Sequence, residues 1–263
     1  MKRVVTIAGA AAQGSAGIQA DLKTFQERDV YGMAVITATV ARHSKAKKGI
    51  YIRSLEEIED QFYTIQERVG FDAVKTGMLF SEEIIRKTVE LLQAERLTTL
   101  VVDPVMIGKM GSQLLKDSAI HILKNELIPM ATVITPNRLE ASKLLGREVK
   151  AEESELIEAA VDLHKLGAQH IVLTGGVVGK EAIDVYYDGK DSYVLRKQAI
   201  PTIDTSGAGC TFAACLTAEL AKEKSVYEAV KISKEVVYHA INHSLSFGEG
   251  VGSVRHGAYR QFP

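Results

Sequence analysis

The chain has 263 residues and a mass of 28.7 kDa; 46% of the residues are hydrophobic and 25% charged, with 32 Lys and Arg against 33 Asp and Glu. That balance excludes intrinsic disorder, a disulfide scaffold and a collagen-like fibre, and one domain spanning 1–263 is expected. A formal charge of −1 and a pI near 6.7 give no electrostatic reason to expect nucleic acid or an anionic membrane surface as the main partner.

Short β-branched runs alternate with longer amphipathic ones. Residues 4–7 read as an apolar strand that ends at Gly9, and Ile18, Leu22 and Phe25 recur on one face of a helix expected over 17–27. A strand over 34–40 follows, then a helix over 55–69 with Leu55, Ile58, Phe62 and Ile65 at helical spacing, and a short strand over 72–76. Ser81 is expected to cap a helix running to about 94, with Glu82 and Glu83 favouring its positive end. The strand over 100–102 is closed by Asp103 and Pro104. Next come a helix near 118–127, a strand over 132–135, a helix from 139, a helix over 152–166 and a strand over 170–174. Segments 183–187 and 192–195 face each other across Asp188-Gly189 as an antiparallel hairpin. Helices over 208–222 and 226–244 complete the series.

This alternation implies βαβ units and a mainly parallel sheet with helices on both faces, so ligand-binding residues should follow the carboxyl ends of strands. No repeat, low-complexity tract or linker interrupts it. The basic cluster from Arg42 to Lys48 reads most simply as a solvated loop. The two cysteines, Cys210 and Cys215, lie roughly 140° apart around one helix and should not bridge, which fits a reducing cytoplasm. Met1-Lys2-Arg3 is soon followed by Gln13 and Asp21, so no signal peptide is expected, and no stretch approaches the roughly 20 apolar residues that span a bilayer.

The strongest local signal is Asp204-Thr205-Ser206-Gly207-Ala208-Gly209-Cys210-Thr211-Phe212, which runs directly into a helical pattern. Small residues at a helix start let free backbone N–H groups approach an anion such as phosphate, and the helix dipole adds to the attraction. The same dipole should lower the thiol pKa of Cys210, fitting it to act as a base. A second glycine-rich loop, Gly9 to Gly17, has neither the Gly-x-Gly-x-x-Gly spacing of a dinucleotide site nor a Walker ending. Further polar segments close strands at Lys75-Thr76-Gly77-Met78-Leu79, Val102-Asp103-Pro104-Val105-Met106, Thr135-Pro136-Asn137-Arg138-Leu139-Glu140-Ala141 and Leu173-Thr174-Gly175-Gly176. Together they would gather polar groups on one rim.

In that order and at those intervals, these motifs resemble the ribokinase superfamily, in its branch of hydroxymethylpyrimidine/phosphomethylpyrimidine kinases and pyridoxal kinases. The resemblance implies a three-layer α/β/α fold with a mainly parallel central sheet. It also implies ATP and Mg²⁺ as co-substrates, phosphorylation of a hydroxymethyl group on a small heteroaromatic ring, and a homodimer. It implies that Gly207, Ala208 and Gly209 form an anion hole and that Cys210 takes the proton of the attacking hydroxyl. Asp103 and Glu140 would hold Mg²⁺, Asn137 would touch ATP phosphates with Thr174 and Gly176 nearby, and Gly9, Asp21, Met78 and Val105 would line the ring pocket.

Some positions depart from the family pattern. Ala10 and Ala11 stand where Ser-Asp is usual, which removes two polar groups near the ring. Arg42, beside His43, stands where the pyrimidine kinases commonly carry glutamine, and is taken as a ring-site residue. Thr174 and the Gly-Ala-Gly-Cys wording lean towards pyridoxal kinases, whereas Lys109 through Leu115 and Arg138-Leu139-Glu140-Ala141 lean towards the pyrimidine kinases. The first expectation is a kinase for hydroxymethylpyrimidine and its monophosphate. The alternative is a pyridoxal-type vitamin kinase, and a third reading, prompted by Ala10, Ala11 and Arg42, is a non-catalytic vitamin-binding protein.

Overall fold

In the computed structural model, residues 1–46, 48–95, 99–108, 113–248 and 250–262 are described. Nine strands form one sheet in the order β3-β2-β1-β4-β5-β6-β7-β8-β9. The strands are β1 (Arg3–Ala11), β2 (Tyr31–Val40), β3 (Ile50–Ile52), β4 (Ala73–Thr76), β5 (Leu100–Val102), β6 (Val133–Ile134), β7 (His170–Val178), β8 (Glu181–Tyr187) and β9 (Ser192–Gln198). Pairing is parallel from β2 through β7, and antiparallel only where β3, β8 and β9 extend the two edges. Near-continuous apolar runs suit the central strands, because helices cover both their faces.

The alternation of side chains along each strand decides which residues meet which layer. Val101, Val133 and Val172 face α7 (Ala208–Ala221) and α8 (Val226–Asn242), while Val4 and Ala73 pack with Phe25 of α1 (Ile18–Glu27) and Ala214 of α7. Their neighbours Val5, Val74, Val102, Ile134 and Ile171 point the other way, into the larger core. That core is covered by α2 (Leu55–Arg68), α3 (Glu82–Gln93), an irregular segment, α5 (Arg138–Leu145) and α6 (Glu153–His164). Thr6, Lys75 and Asp103 lie two residues after Val4, Ala73 and Val101, so the same alternation turns them towards α1 and α7.

Local differences from the sequence expectations have physical causes. The stretch expected as one helix near 118–127 is a 3-10 turn at Asp117–Ala119, α4 (Ile120–Ile122), a π segment at Leu123–Leu127 and a second 3-10 turn at Ile128–Met130. Pro129 lacks the N–H that would continue an α-helix. β7 passes through Gly175 by a bulge between Thr174 and Gly176, rather than stopping at Thr174. Ser81 occupies the N-cap position of α3 without a side-chain capping bond, whereas Ser54, Asn137 and Ser225 form full capping boxes. A short α9 (Ala258–Gln261) closes the described chain. Both cysteines are free, as expected. Among the described residues no helix is long and apolar enough to cross a membrane.

Candidate active site

The carboxyl ends of β1, β4, β5, β6 and β7 carry the polar segments along one rim. At its centre lies a buried charge cluster. Asp21, from the first turn of α1, is fully buried; its Oδ2 accepts from Thr6 Oγ1 at 2.6 Å and from Lys75 Nζ at 3.0 Å, while Oδ1 has no partner among the described residues. Lys75 is also fully buried, and its Nζ stands 3.7 Å from Asp103 Oδ2, an oxygen that accepts no hydrogen bond among the described residues. Burial alone would drive Lys75 towards neutrality, but Asp21, Asp103 and Cys210 outweigh it and the ammonium pKa is raised. The sequence places Lys75 at the head of a polar strand-end segment but assigns it no role. Its only trace was a lysine flanked by apolar and small residues at a strand end.

Asp103 and Glu140 interact. Burial, partly offset by Lys75 and reinforced by Asp21, lifts the Asp103 carboxyl to about 6. Burial and the charge of Asp103 push Glu140 up to about 8, against the backbone N–H groups of Asn137 and Met106 that favour its charged form. Glu140 Oε2 accepts from Asn137 N–H at 3.0 Å and Oε1 from Met106 N–H at 3.3 Å. Glu140 is therefore also a capping carboxylate, paired with Asn137, whose Oδ1 accepts from Leu139 and Glu140 N–H. Asn137 is exposed, and its Nδ2 has no partner among the described residues. Thr174 lies beside it, bridged to Asn137 and bonded through N–H to Pro136 O at 2.9 Å. Gly176, at φ +79°, has open space where a side chain would point.

The loop before α7 meets the loop after β1. Gly207 has φ +88° and caps α7 without a side-chain bond; a Cβ there would lie 1.8 Å from Ser15 O. Ser15 Oγ and Ser206 Oγ are 2.9 Å apart, joining the two loops again. The Ala208 N–H is taken by Thr205 O at 3.2 Å, so among the described residues the amides without an acceptor are those of Gly207, Gly209 and Cys210, not the Gly207, Ala208 and Gly209 set expected. Cys210 Sγ accepts from Gly17 N–H at 3.4 Å. Its thiol is not acidified. Burial pushes its pKa up to about 12, with Asp103 and Asp21 adding to the rise against Lys75, so the first-turn dipole does not prevail. The sequence showed the helix start but not the depth of the sulfur.

Gly9, Met78 and Val105 border this cluster: a Cβ on Gly9 would lie 2.4 Å from Met78 Cε, and Val105 N–H bonds to Asp103 O at 2.8 Å. Arg42 stands apart from them. It is exposed on the β2–β3 connection, with its side chain lying across Gly49. Of the segment from Lys109 to Leu115, residues 109–112 lie outside the described residues.

Comparison with known proteins fits this geometry. A family model described as phosphomethylpyrimidine kinase matches residues 12–255. The chain is 42% identical to a pyridoxine kinase of Bacillus subtilis, over 99% of this chain and 97% of that protein. It is 38% identical to the hydroxymethylpyrimidine/phosphomethylpyrimidine kinase of the same organism, over 98% and 96%. The solved pyridoxal kinase of Staphylococcus aureus in complex with AMP-PCP and pyridoxal superposes with a TM-score of 0.92 at 39% identity, covering 100% of this chain and 96% of that one.

Proposed function

Given that the chain belongs to the phosphomethylpyrimidine kinase family, we propose that it transfers phosphate from ATP to the hydroxymethyl group of 4-amino-5-hydroxymethyl-2-methylpyrimidine and to that product's monophosphate, a step of thiamine synthesis or salvage. The observation that carries this reading is the opening of α7: free amides at Gly207, Gly209 and Cys210 beside a sulfur held by Gly17 N–H. A second reading, a pyridoxal, pyridoxine or pyridoxamine kinase, is favoured by the 42% identity to a pyridoxine kinase along nearly the whole chain. Comparing kcat/KM for the pyrimidine and the three pyridine alcohols, with the products identified by mass spectrometry, decides between them. Preference for a pyridine alcohol would replace the first reading by the second.

In this account the free amides at the start of α7 receive charge on the transferred phosphoryl group, which is where most catalysis of phosphoryl transfer arises. Cys210, as its thiolate, takes the hydroxyl proton while the alcohol oxygen bonds to the γ-phosphorus and the bond from that phosphorus to the β,γ-bridging oxygen breaks, releasing ADP. Asp21, whose Oδ1 has no partner among the described residues, and Gly9, Met78 and Val105 hold the ring, while Arg42, exposed and lying across Gly49, is given no part in holding it. Asn137 Nδ2, Thr174 and Gly176 hold the nucleotide. Lys75 keeps Asp21 and Asp103 from repelling each other.

A magnesium ion fits the corner at Asp103 and Glu140. Asp103 Oδ2 is buried without a hydrogen-bond partner among the described residues, and its charge raises the pKa of Glu140, a donor set of hard oxygens whose repulsion a divalent cation would relieve. Among the described residues no cluster of three or more His, Cys, Asp or Glu gathers as a metal cage, so the ion would be shared with ATP phosphates and water. When bound it supplies neutralisation of phosphate charge. The protein is proposed to work as one cytoplasmic domain over 1–263, paired as a homodimer, and sedimentation as a monomer would remove the last point.

A further inference from the structure

The segment before α9 is bonded to the anion-binding loop along its length. Gly252 N–H donates to Asp204 Oδ1 at 2.6 Å, Ser206 N–H to Gly252 O at 3.2 Å, and Val254 N–H to Ser206 O at 3.0 Å. Two residues on, the side chain of His256, 7% exposed, reaches into the first turn of α7, where its Nδ1 lies 2.9 Å from Thr211 Oγ1. Thr211 is fully buried and its hydroxyl donates to Gly207 O at 2.8 Å. A hydroxyl has one proton, so with that proton on Gly207 O the protonated ring nitrogen is Nδ1, donating to Oγ1. The other nitrogen, Nε2, is buried with no partner among the described residues.

The ring also walls in Gly207. A Cβ on this glycine would lie 3.3 Å from His256 Cε1 on one side and 1.8 Å from Ser15 O on the other. Gly207 is thus held at its positive φ between a loop from the beginning of the chain and a ring from its end. Burial keeps the imidazole neutral by pushing its pKa down to about 4, so it offers a fixed donor and no charge.

We propose that His256 is a positioning residue for phosphoryl transfer: through Thr211 it sets Gly207, and with it the direction in which the amides of Gly207 and Gly209 and the Cys210 sulfur face the transferred group. The proposal rests on the kinase reading above. His256 touches none of the reacting groups itself, and a misplacement on the order of 1 Å at such a hole is costly.

The experiment compares H256A, H256N, T211V and the H256A/T211V double variant by kcat, KM, melting temperature and calorimetric affinity for AMP-PCP and ADP. H256A should lower kcat roughly 10- to 100-fold with ring-substrate KM changed by less than about threefold. T211V should do the same, and the double variant should be no worse than either single one, because both act through one chain of contacts. Asn can place an N–H near the position of Nδ1, so H256N should recover most of the rate. The preference for AMP-PCP over ADP should shrink in H256A, since the γ-phosphate is the group the amides face. Wild-type kcat and wild-type nucleotide preference in folded H256A, or an H256N no better than H256A, would overturn the proposal. If H256A does not fold, T211V against H256N carries the same comparison. If the wild-type protein phosphorylates neither ring, the kinase reading falls, while the AMP-PCP and ADP affinities still test His256.

Discussion

The amide of Gly17 donates to the sulfur of Cys210 at 3.4 Å, across 193 positions of sequence. Gly17 takes φ 61° and ψ −148°, a conformation open essentially to glycine, and a Cβ there would lie 2.2 Å from Gly9 O. The glycine-rich loop from Gly9 to Gly17, weak as a motif, is therefore what aims an N–H at the sulfur. G17A should move the loop, costing about 1–3 kcal/mol of stability and lowering kcat at least tenfold in protein that remains folded. Thermal melts with steady-state rates check this; a folded G17A of wild-type kcat would deny the contact any role.

Activity should rise with pH from 6 to 9. Asp103, lifted to about 6, and Glu140, lifted to about 8, ionise first, and Cys210, pushed up to about 12, carries the rise that continues above pH 8. A kcat/KM profile of the wild type against C210A checks it: the variant should level off above pH 8, and a profile still rising in parallel would assign that limb elsewhere.

Lys75 and Asp21 form an ion pair with both side chains fully buried. Removing one partner leaves an uncompensated charge, so K75M should cost about 3–5 kcal/mol. K75M/D21N should recover part of that loss, because the Asp21 charge goes with the lysine and only the Asp103 carboxylate remains beside the position of the pair. Urea unfolding of the two variants measures it, and a K75M as stable as wild type would mean that the pair contributes nothing net.

Glu140 should make stability fall as pH rises. Its folded-state pKa, about 8, lies above the ordinary 4.5, so its contribution is complete below the unfolded value and is lost as pH climbs towards 8. Melting temperatures of ligand-free wild type between pH 5 and 8.5 should decline, and E140Q should flatten the decline. Mg²⁺ with ADP should raise the melting temperature more at pH 8 than at pH 5.5, where protons compete for the carboxylates. An unchanged slope in E140Q would remove this residue from the account.

The parallel core was legible because its strands are short apolar runs and its helices repeat apolar residues on one face, as in Ile58 and Phe62 of α2. The rim was legible because Asp103 directly follows β5 and Asn137 comes three residues after the end of β6. What stayed hidden depends on tertiary depth. A lysine in Ala73-Val74-Lys75-Thr76 reads as the polar end of a strand, without its depth beneath α1 and α7, and a cysteine at a helix start reads as acidic until its burial is known. His256 lies 45 positions from Thr211, and no local pattern links them. β3 spans three residues, too few for a periodic signal.

The central claim is that this chain moves phosphate from ATP to a ring hydroxymethyl group with Cys210 taking the proton. Its most direct test is ADP release by wild type and C210A with hydroxymethylpyrimidine, its monophosphate and pyridoxal as acceptors. The account predicts turnover by wild type and a kcat lower by roughly 10²–10⁴ in folded C210A. Ring binding with no transfer from ATP would contradict it and leave a vitamin-binding protein on a kinase fold.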